Sequence, residues 1–419
     1  MPMGNSHARI VPAGLHLWLC LCLGLSEPAM AEAAFPPYPD APTLQARSAI
    51  LMDAATGDVL FELSPGLEIP PASLTKLMTI HLAYKAIQEG RFSLDSPIPI
   101  HAEDCYPDLP YRSSLLFLGP GMRVSLGELL LGMAVPSGND AAFAVARALS
   151  GSIEDFAREM NREARAMGLT LTRFTEPSGL SEHNMTTAAE FAVFCRQYIL
   201  LHPQALADLH SVRSLAFPLL RNMPEGFSGQ VRPVVQDNRN LLLWDYPGCD
   251  GLKTGYIDES GYNIALTAMR DGTRLIAVIL GGYGASTAEG SRTRADNGSR
   301  LLDYGFSHFK TLRPKVVSLE PIRLYKGRAD QVRLEPGAEL VLTARQEDLA
   351  SMSVRVERDR WALAPLAKGS QVGEIIVSAD GRLVKRFPLV TAEEAVKGNP
   401  LKCLWHSIIL IFKGKARRS

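Results

Sequence analysis

Cysteine is scarce, with six in 419 residues, and two of them, Cys20 and Cys22, sit in an apolar stretch near the start of the chain. The other four, Cys105, Cys195, Cys249 and Cys403, are too few for a disulfide framework. The fold must therefore rest on a hydrophobic core of its own, and Cys195, inside the apolar run Phe191 to Leu200, reads as a buried thiol. Net charge is missing as well: Lys+Arg equals Asp+Glu at 44 each, so no general electrostatic argument favours a nucleic-acid partner. Long apolar runs are absent too. The stretch Leu15 to Leu25 is shorter than the about 20 residues that a spanning helix needs. With Arg9 before it and Ala29-Met30-Ala31 after it, residues 1–31 read as a secretory signal peptide, so the mature chain is expected to be exported. The sequence contains no G-x-S-x-G nucleophile elbow, no H-E-x-x-H and no Cys/His metal spacing. Neither a metal nor a cofactor is expected, and the nine scattered histidines read as surface or structural residues.

What is present is a succession of short periodic segments. Ser48 to Leu63 alternates apolar and polar residues around Ala55-Thr56-Gly57-Asp58, which predicts a two-stranded hairpin. A helix is expected from the segment carrying Ser73 to about Ile87, where Glu89-Gly90 stops it. Residues 101–124, with five Pro or Gly, read as an extended surface region. Leu126 to Ala134 is a second helix, broken at Pro136-Ser137-Gly138, and Asn139-Asp140 can cap a third that runs to Leu149. Ser152 opens a fourth with Asp155 in the capping-box position, and Thr186 or Thr187 starts a fifth, to about Leu201. Pro203 to Asn240 gives no firm pattern. Tyr262–Met269 and Leu275–Leu280 are apolar strands joined by the hairpin signal Arg270-Asp271-Gly272, and a last helix follows from about Thr287 to Phe306.

Hairpins at both ends with helices between them predict an α/β (α+β) domain, an antiparallel sheet flanked by helices. After Arg313-Pro314 the pattern changes to short strands: Val316–Leu319, Gln331–Leu334, Glu339–Leu342, Ser353–Glu357 and Val372–Ser378. The expected organisation is a signal peptide over 1–31, a catalytic domain over 35–312, a small all-β domain over 315–396 and a terminal segment over 397–419.

The segment Pro71-Ala72-Ser73-Leu74-Thr75-Lys76 carries the candidate chemistry. On a helix, positions i and i+3 share a face, so the Ser73 hydroxyl and the Lys76 amine can meet. The free N–H groups and the dipole of the helix start would favour an oxyanion at Ser73. Lys76 can take the hydroxyl proton only if burial or a neighbouring cation pulls its pKa well below the usual about 10.4. Ser307-His308-Phe309-Lys310 fits the same spacing and reads as chance, because only Ser73 is followed in order by Ser137-Gly138-Asn139 and Lys253-Thr254-Gly255. Ser137 can pass a proton towards a leaving amine, Asn139 can hold a substrate peptide group, and Lys253 can lower the Lys76 pKa and attract an anion. Thr254 offers a hydroxyl to a carboxylate, and Gly255 lets the backbone run close to a ligand. Taken singly, the second motif could be an ordinary turn between helices and the third a solvated turn.

With these motifs, and with Phe117-Leu118-Gly119-Pro120-Gly121, Asn238-Arg239-Asn240, Leu243-Trp244-Asp245 and Gly261-Tyr262-Asn263, the chain resembles the low-molecular-mass penicillin-binding proteins of the D-alanyl-D-alanine carboxypeptidase type. The resemblance implies a penicillin-binding/β-lactamase-like fold and removal of the terminal D-alanine from peptidoglycan pentapeptides through an acyl-enzyme. It implies β-lactams as covalent inhibitors and a part in cell-wall biosynthesis and cell shape. It also implies an oxyanion hole from the backbone N–H groups of Ser73 and Tyr256, and a carboxylate contact from Arg239, which could alternatively pair with Asp237 or Asp245. Tyr256 stands where the family often has histidine, and Pro177-Ser178-Gly179-Leu180 where histidine commonly precedes Gly-Leu. A β-lactamase, an endopeptidase of the same fold and a non-catalytic peptidoglycan-binding or sensing protein are the alternatives. The class A β-lactamase pattern asks for asparagine four residues after its glutamate, and here Leu180 follows Glu176 at that distance.

From Lys397 onward the chain has six basic residues and no acidic one. Leu401, Leu404, Trp405, Ile408, Ile411 and Phe412 fall on one helical face, followed by Lys413, Lys415, Arg417 and Arg418. An amphipathic helix at the outer surface of the cytoplasmic membrane is expected, the alternative being a terminal helix docked on the β domain by that apolar face.

Overall fold

The computed structural model describes residues 40–110, 113–315 and 319–415. The expected signal peptide, most of the expected strand Val316–Leu319, and Arg417 and Arg418 lie outside the described residues.

The first region is built on strands β1 (Ser48–Asp53) and β2 (Val59–Leu63), helix α1 (Lys76–Gln88), and the short antiparallel pair β3 (Pro97–Ile98) and β4 (Val124–Ser125). Helices α2 (Leu126–Ala134), α3 (Asn139–Ser150), α4 (Ile153–Ala166) and α5 (Ala188–Leu201) follow. A second small pair, β5 (Ser214–Phe217) with β6 (Val234–Asp237), lies within Pro203–Asn240, where the sequence shows no firm pattern, and one turn of helix, α6 (Leu242–Asp245), follows it. The long strands β7 (Cys249–Ile257), β8 (Gly261–Arg270) and β9 (Thr273–Gly282) lead into helix α7 (Thr287–His308).

The central sheet has the order β2-β1-β9-β8-β7, and every neighbouring pair is antiparallel. Its two ends in the chain are thus joined through β1 and β9, and β7 is left as an edge. One face packs on α1, α2, α3 and α5 through residues such as Ile50, Leu77, Leu130, Phe191 and Tyr198. The other face packs on α7 through Leu51, Leu266, Leu275 and Leu301. Apolar residues on both sides of the strands explain why β9 reads as a continuous buried run. Two of the predicted caps are in place: Ser152 Oγ accepts from Asp155 N–H, and Thr187 accepts from Glu190 N–H. The cap expected from Asn139-Asp140 is not formed, since Gly138 precedes α3 without a side-chain cap and the Asn139 and Asp140 side chains bond instead to Lys76 and to the loop at 116–118. Asp271 and Gly272 both have positive φ, +47° and +80°, as a two-residue hairpin turn requires.

The second region consists of β10 (Phe309–Leu312), β11 (Ile322–Tyr325), β12 (Gln331–Val332), β13 (Leu334–Pro336), β14 (Leu342–Arg345), β15 (Met352–Arg358), β16 (Trp361–Leu363), β17 (Gln371–Ala379) and β18 (Arg382–Thr391), closed by helix α8 (Pro400–Lys415). It forms a four-stranded sheet β13-β18-β17-β15, a three-stranded sheet β12-β11-β16 and the pair β10-β14. Two expectations need correction here. The strand expected over Glu339–Leu342 runs instead over Leu342–Arg345, because Leu342 and Ala344 are the buried residues that pair with β10, while Glu339 is on the surface in an ion pair with Arg313. The single strand expected over Gln331–Leu334 is two, because the chain passes from one sheet to the next at Arg333, which turns out to Glu393. Asp53 in β1 accepts hydrogen bonds from Thr311 Oγ1 at 2.6 Å and Thr343 Oγ1 at 3.1 Å, a buried link between the two regions.

Candidate active site

Ser73 lies in a single 3-10 turn, Ala72–Thr75, immediately before α1. Ala72 has φ +50°, a conformation that a residue with a Cβ keeps only under the constraint of its surroundings. Ala72 and Leu74 are fully buried, and Asn263 Nδ2 donates to the Pro70 carbonyl at 2.9 Å, fastening the turn to the central sheet.

Lys76 opens α1 and is completely buried. Its Nζ donates to Ser73 Oγ at 3.0 Å, Asn139 Oδ1 at 2.6 Å and the Ser178 carbonyl at 2.6 Å, which uses all three ammonium donors. Burial pulls its pKa down to about 7 against the opposing charges of Glu176 and Asp140, with Arg239 helping to lower it. Arg239 thus joins Lys253, the cation expected from sequence, whose charge and that of Lys76 oppose each other. Lys253 is itself held well below the usual lysine range, first by burial and then by Lys76, Arg239 and Arg294.

Ser137, between α2 and α3, has φ +67°. Its hydroxyl is buried and, among the described residues, has no hydrogen-bond partner. Gly138 is required by its neighbours: a Cβ there would stand 2.8 Å from Asp140 Oδ1 and 3.0 Å from Leu116 N. Asp140 accepts from the backbone N–H groups of Leu116, Leu118 and Ala141 at 2.8, 3.0 and 2.9 Å, tying the 113–118 loop to the start of α3.

Lys253 and Thr254 are buried in the middle of the edge strand β7, so the solvated-turn alternative does not hold. Tyr256, two residues on, is half exposed. Its ring packs on Tyr262 at 4.4 Å between centroids and its hydroxyl donates to Asp258 at 2.6 Å. Among the described residues no ion pair joins Arg239 to Asp237 or Asp245, and the Arg239 carbonyl accepts from Arg294 of α7 at 3.2 Å. The second S-x-x-K match falls at the junction of α7 and β10, with Lys310 on a strand, so its serine and lysine do not share a helical face.

The arrangement is a buried amine beside a hydroxyl, with cations and an open strand edge around them. A family profile described as D-alanyl-D-alanine carboxypeptidase matches residues 36–284, and one described as penicillin-binding protein 5, C-terminal domain, matches residues 306–397. The chain belongs to the D-alanyl-D-alanine carboxypeptidase family. It is 31% identical over 380 residues to the D-alanyl-D-alanine carboxypeptidase DacC of Escherichia coli, covering 89% of this chain and 90% of that one. Penicillin-binding protein 5 from Haemophilus influenzae superposes with a TM-score of 0.74 at 29% identity, over 85% of this chain and 99% of that one. Penicillin-binding protein D2 from Listeria monocytogenes in its cefotaxime-bound form superposes with a TM-score of 0.54 at 28% identity, over 63% and 98%.

In this D-alanyl-D-alanine carboxypeptidase family member, three charged residues of the site went unassigned from sequence. Arg294 is buried behind the site with its guanidinium 5.9 Å from the Tyr262 ring, and burial and Arg239 lower its pKa to about 10. Its helix, α7, reads as amphipathic, and an inward arginine gives no signal of its own there. Asp140 looked like a capping residue, and its reach to the loop at 116–118 is tertiary. In sequence Glu176 matches only the position of the class A β-lactamase glutamate, and Leu180 four residues on breaks that pattern.

Proposed function

We propose that the chain is a serine-type D-alanyl-D-alanine carboxypeptidase acting on the stem peptide of peptidoglycan, with β-lactams as covalent inhibitors. The observation that carries this is the Lys76 amine 3.0 Å from Ser73 Oγ, buried and brought to a pKa of about 7. Ser73 attacks the carbonyl of the penultimate D-alanine while Lys76 takes the hydroxyl proton. The proton reaches the departing D-alanine amine through the otherwise unpartnered Ser137 hydroxyl. Water then hydrolyses the ester and restores the free serine.

The backbone N–H groups of Ser73 and Tyr256 form the oxyanion hole. The edge strand β7 offers backbone groups to an extended peptide, and Thr254 and Arg239 receive the terminal carboxylate while Asn139 holds a peptide group. Lys253 and Arg294 supply positive potential. A class A β-lactamase activity is disfavoured because both oxygens of Glu176 are already engaged by the N–H groups of Ser178, Gly179 and Ser181 and by Asn184. The complete nucleophile and base pair likewise argues against a non-catalytic sensor. Release of D-alanine from a pentapeptide, lost in Ser73→Ala, tests the proposal; undiminished release in that variant refutes it.

We further infer that the mature protein is exported and held at the outer face of the cytoplasmic membrane by α8. Helix α8 meets the β region with its polar side: His406 Nδ1 accepts from Lys326 N–H at 2.7 Å, and Lys402 pairs with Asp330 at 2.9 Å. Leu401, Leu404, Trp405, Ile411 and Phe412 all point outward, each more than half exposed. Among the described residues no helix is long and apolar enough to cross a membrane, so the support is for a helix lying in the interface.

A further inference from the structure

The loop 175–184 grips the start of α1 at four successive places. Gly179, at φ +86°, lies against the nucleophile turn, so that a Cβ on it would stand 1.8 Å from the Ala72 carbonyl oxygen. Asn184 Nδ2 donates to Thr75 Oγ1 at 3.2 Å, the Ser178 carbonyl receives Lys76 Nζ at 2.6 Å, and the Pro177 carbonyl receives Thr79 Oγ1 at 2.7 Å.

Glu176 is the centre of this loop. Its Oε2 accepts from Ser178 N–H at 2.7 Å and Ser178 Oγ at 2.6 Å. Its Oε1 accepts from Gly179 N–H at 2.6 Å, Asn184 Nδ2 at 2.9 Å and Ser181 N–H at 3.3 Å. A carboxylate offers about four acceptor sites, so these donors leave none with which to activate a water.

We propose that Glu176 is a positioning residue for the proton-transfer pair: its carboxylate shapes the loop that braces the Ser73 turn and sets the Ser178 carbonyl against Lys76 Nζ. This rests on Ser73 and Lys76 being the nucleophile and base proposed above. The groups facing Lys76 are Glu176 and Asp140 as anions, Arg239 and Lys253 as cations, and Asn139 and the Ser178 carbonyl as neutral acceptors. The Glu176 charge opposes deprotonation of Lys76. Its removal therefore has two separable effects, a looser geometry that slows acylation and a Lys76 that loses its proton at lower pH.

The test is the second-order rate of acylation by a fluorescent penicillin as a function of pH, together with the rate at which the isolated acyl-enzyme hydrolyses. Glu176→Gln keeps the shape but must turn an NH₂ towards N–H donors. It is expected to slow acylation about tenfold or more at neutral pH, the scale of a lost charge-assisted bond, and to move the acid limb of the profile to lower pH. Asn184→Ala keeps the charge and loosens the loop, so it slows acylation without moving the limb. If Glu176→Gln does not fold, Glu176→Asp decides: several-fold slower acylation with an unmoved limb supports the role, and wild-type acylation overturns it. An unchanged rate and profile in Glu176→Gln, or a loss confined to acyl-enzyme hydrolysis, also overturns it. Absence of labelling at Ser73 in the wild-type protein would instead remove the catalytic assignment on which the role depends.

Discussion

Gly255 runs so close to the nucleophile turn that a Cβ on it would stand 3.1 Å from the Ser73 amide nitrogen and 2.8 Å from the Pro71 carbonyl oxygen. The edge strand and the Ser73 turn are thus in backbone contact, and a methyl group would force them apart. Gly255→Ala is expected to reduce kcat/KM on a D-Ala-D-Ala peptide by about a hundredfold, the scale of an ångström of misplacement, while the circular dichroism spectrum is unchanged. Wild-type activity in this variant would mean that the strand need not approach Ser73.

Lys76 acts as a base when neutral, and burial has brought its pKa from the usual lysine range to about 7. Acylation should therefore rise tenfold per pH unit on the acid side and level off above about pH 7. The pH dependence of kcat/KM measures this directly, and Lys76→Met should lose the limb together with the activity. A limb that climbs to about pH 10 would indicate an unperturbed amine.

Arg239 and Thr254 are assigned to the terminal carboxylate. Arg239→Ala and Thr254→Ala should each cost about 1.5–3 kcal/mol, or roughly ten- to a hundredfold in kcat/KM, on a free-acid peptide. The cost should be smaller on an ester that lacks the carboxylate. Equal losses on both substrates would assign the two residues to the architecture of the site.

For helix α8, a chain ending near Gly398 should become soluble and keep full activity on a small peptide. Trp405→Glu in the full-length mature protein should weaken membrane association, because it places a charge on the outward apolar face. Fractionation with salt and detergent washes measures both, and a full-length mature protein that is already soluble would contradict the anchor.

Most of the first region was legible because its signals are local: the Asp271-Gly272 turn, the Ser152 cap and the apolar faces of α1 to α5 all act within a few residues. The three motifs were legible as types and order. Their setting was less so. Lys253 lies in a strand rather than a turn because β7 pairs with β8 over its whole length, and that pairing depends on residues outside the motif. Asp140 and Arg294 owe their roles to partners far along the chain, as Leu116 is to Asp140 and Arg239 to Arg294, while Glu176, whose own partners are local, reaches the Ser73 turn only through the loop it shapes. In the second region, strands of two to four residues are too short to show a period, so the strand expected over Glu339–Leu342 lies three residues further on, whereas β18, ten residues long, is hidden in the sequence by Pro388 inside it, which reads as a strand breaker.

The central claim is that Ser73, activated by Lys76, forms the covalent intermediate. Peptide mapping by mass spectrometry after reaction with a β-lactam tests it most directly. The adduct is expected on the peptide containing Ser73, lost in Ser73→Ala and unaffected in Ser307→Ala. An adduct on any other residue, or labelling that survives Ser73→Ala, would contradict the account.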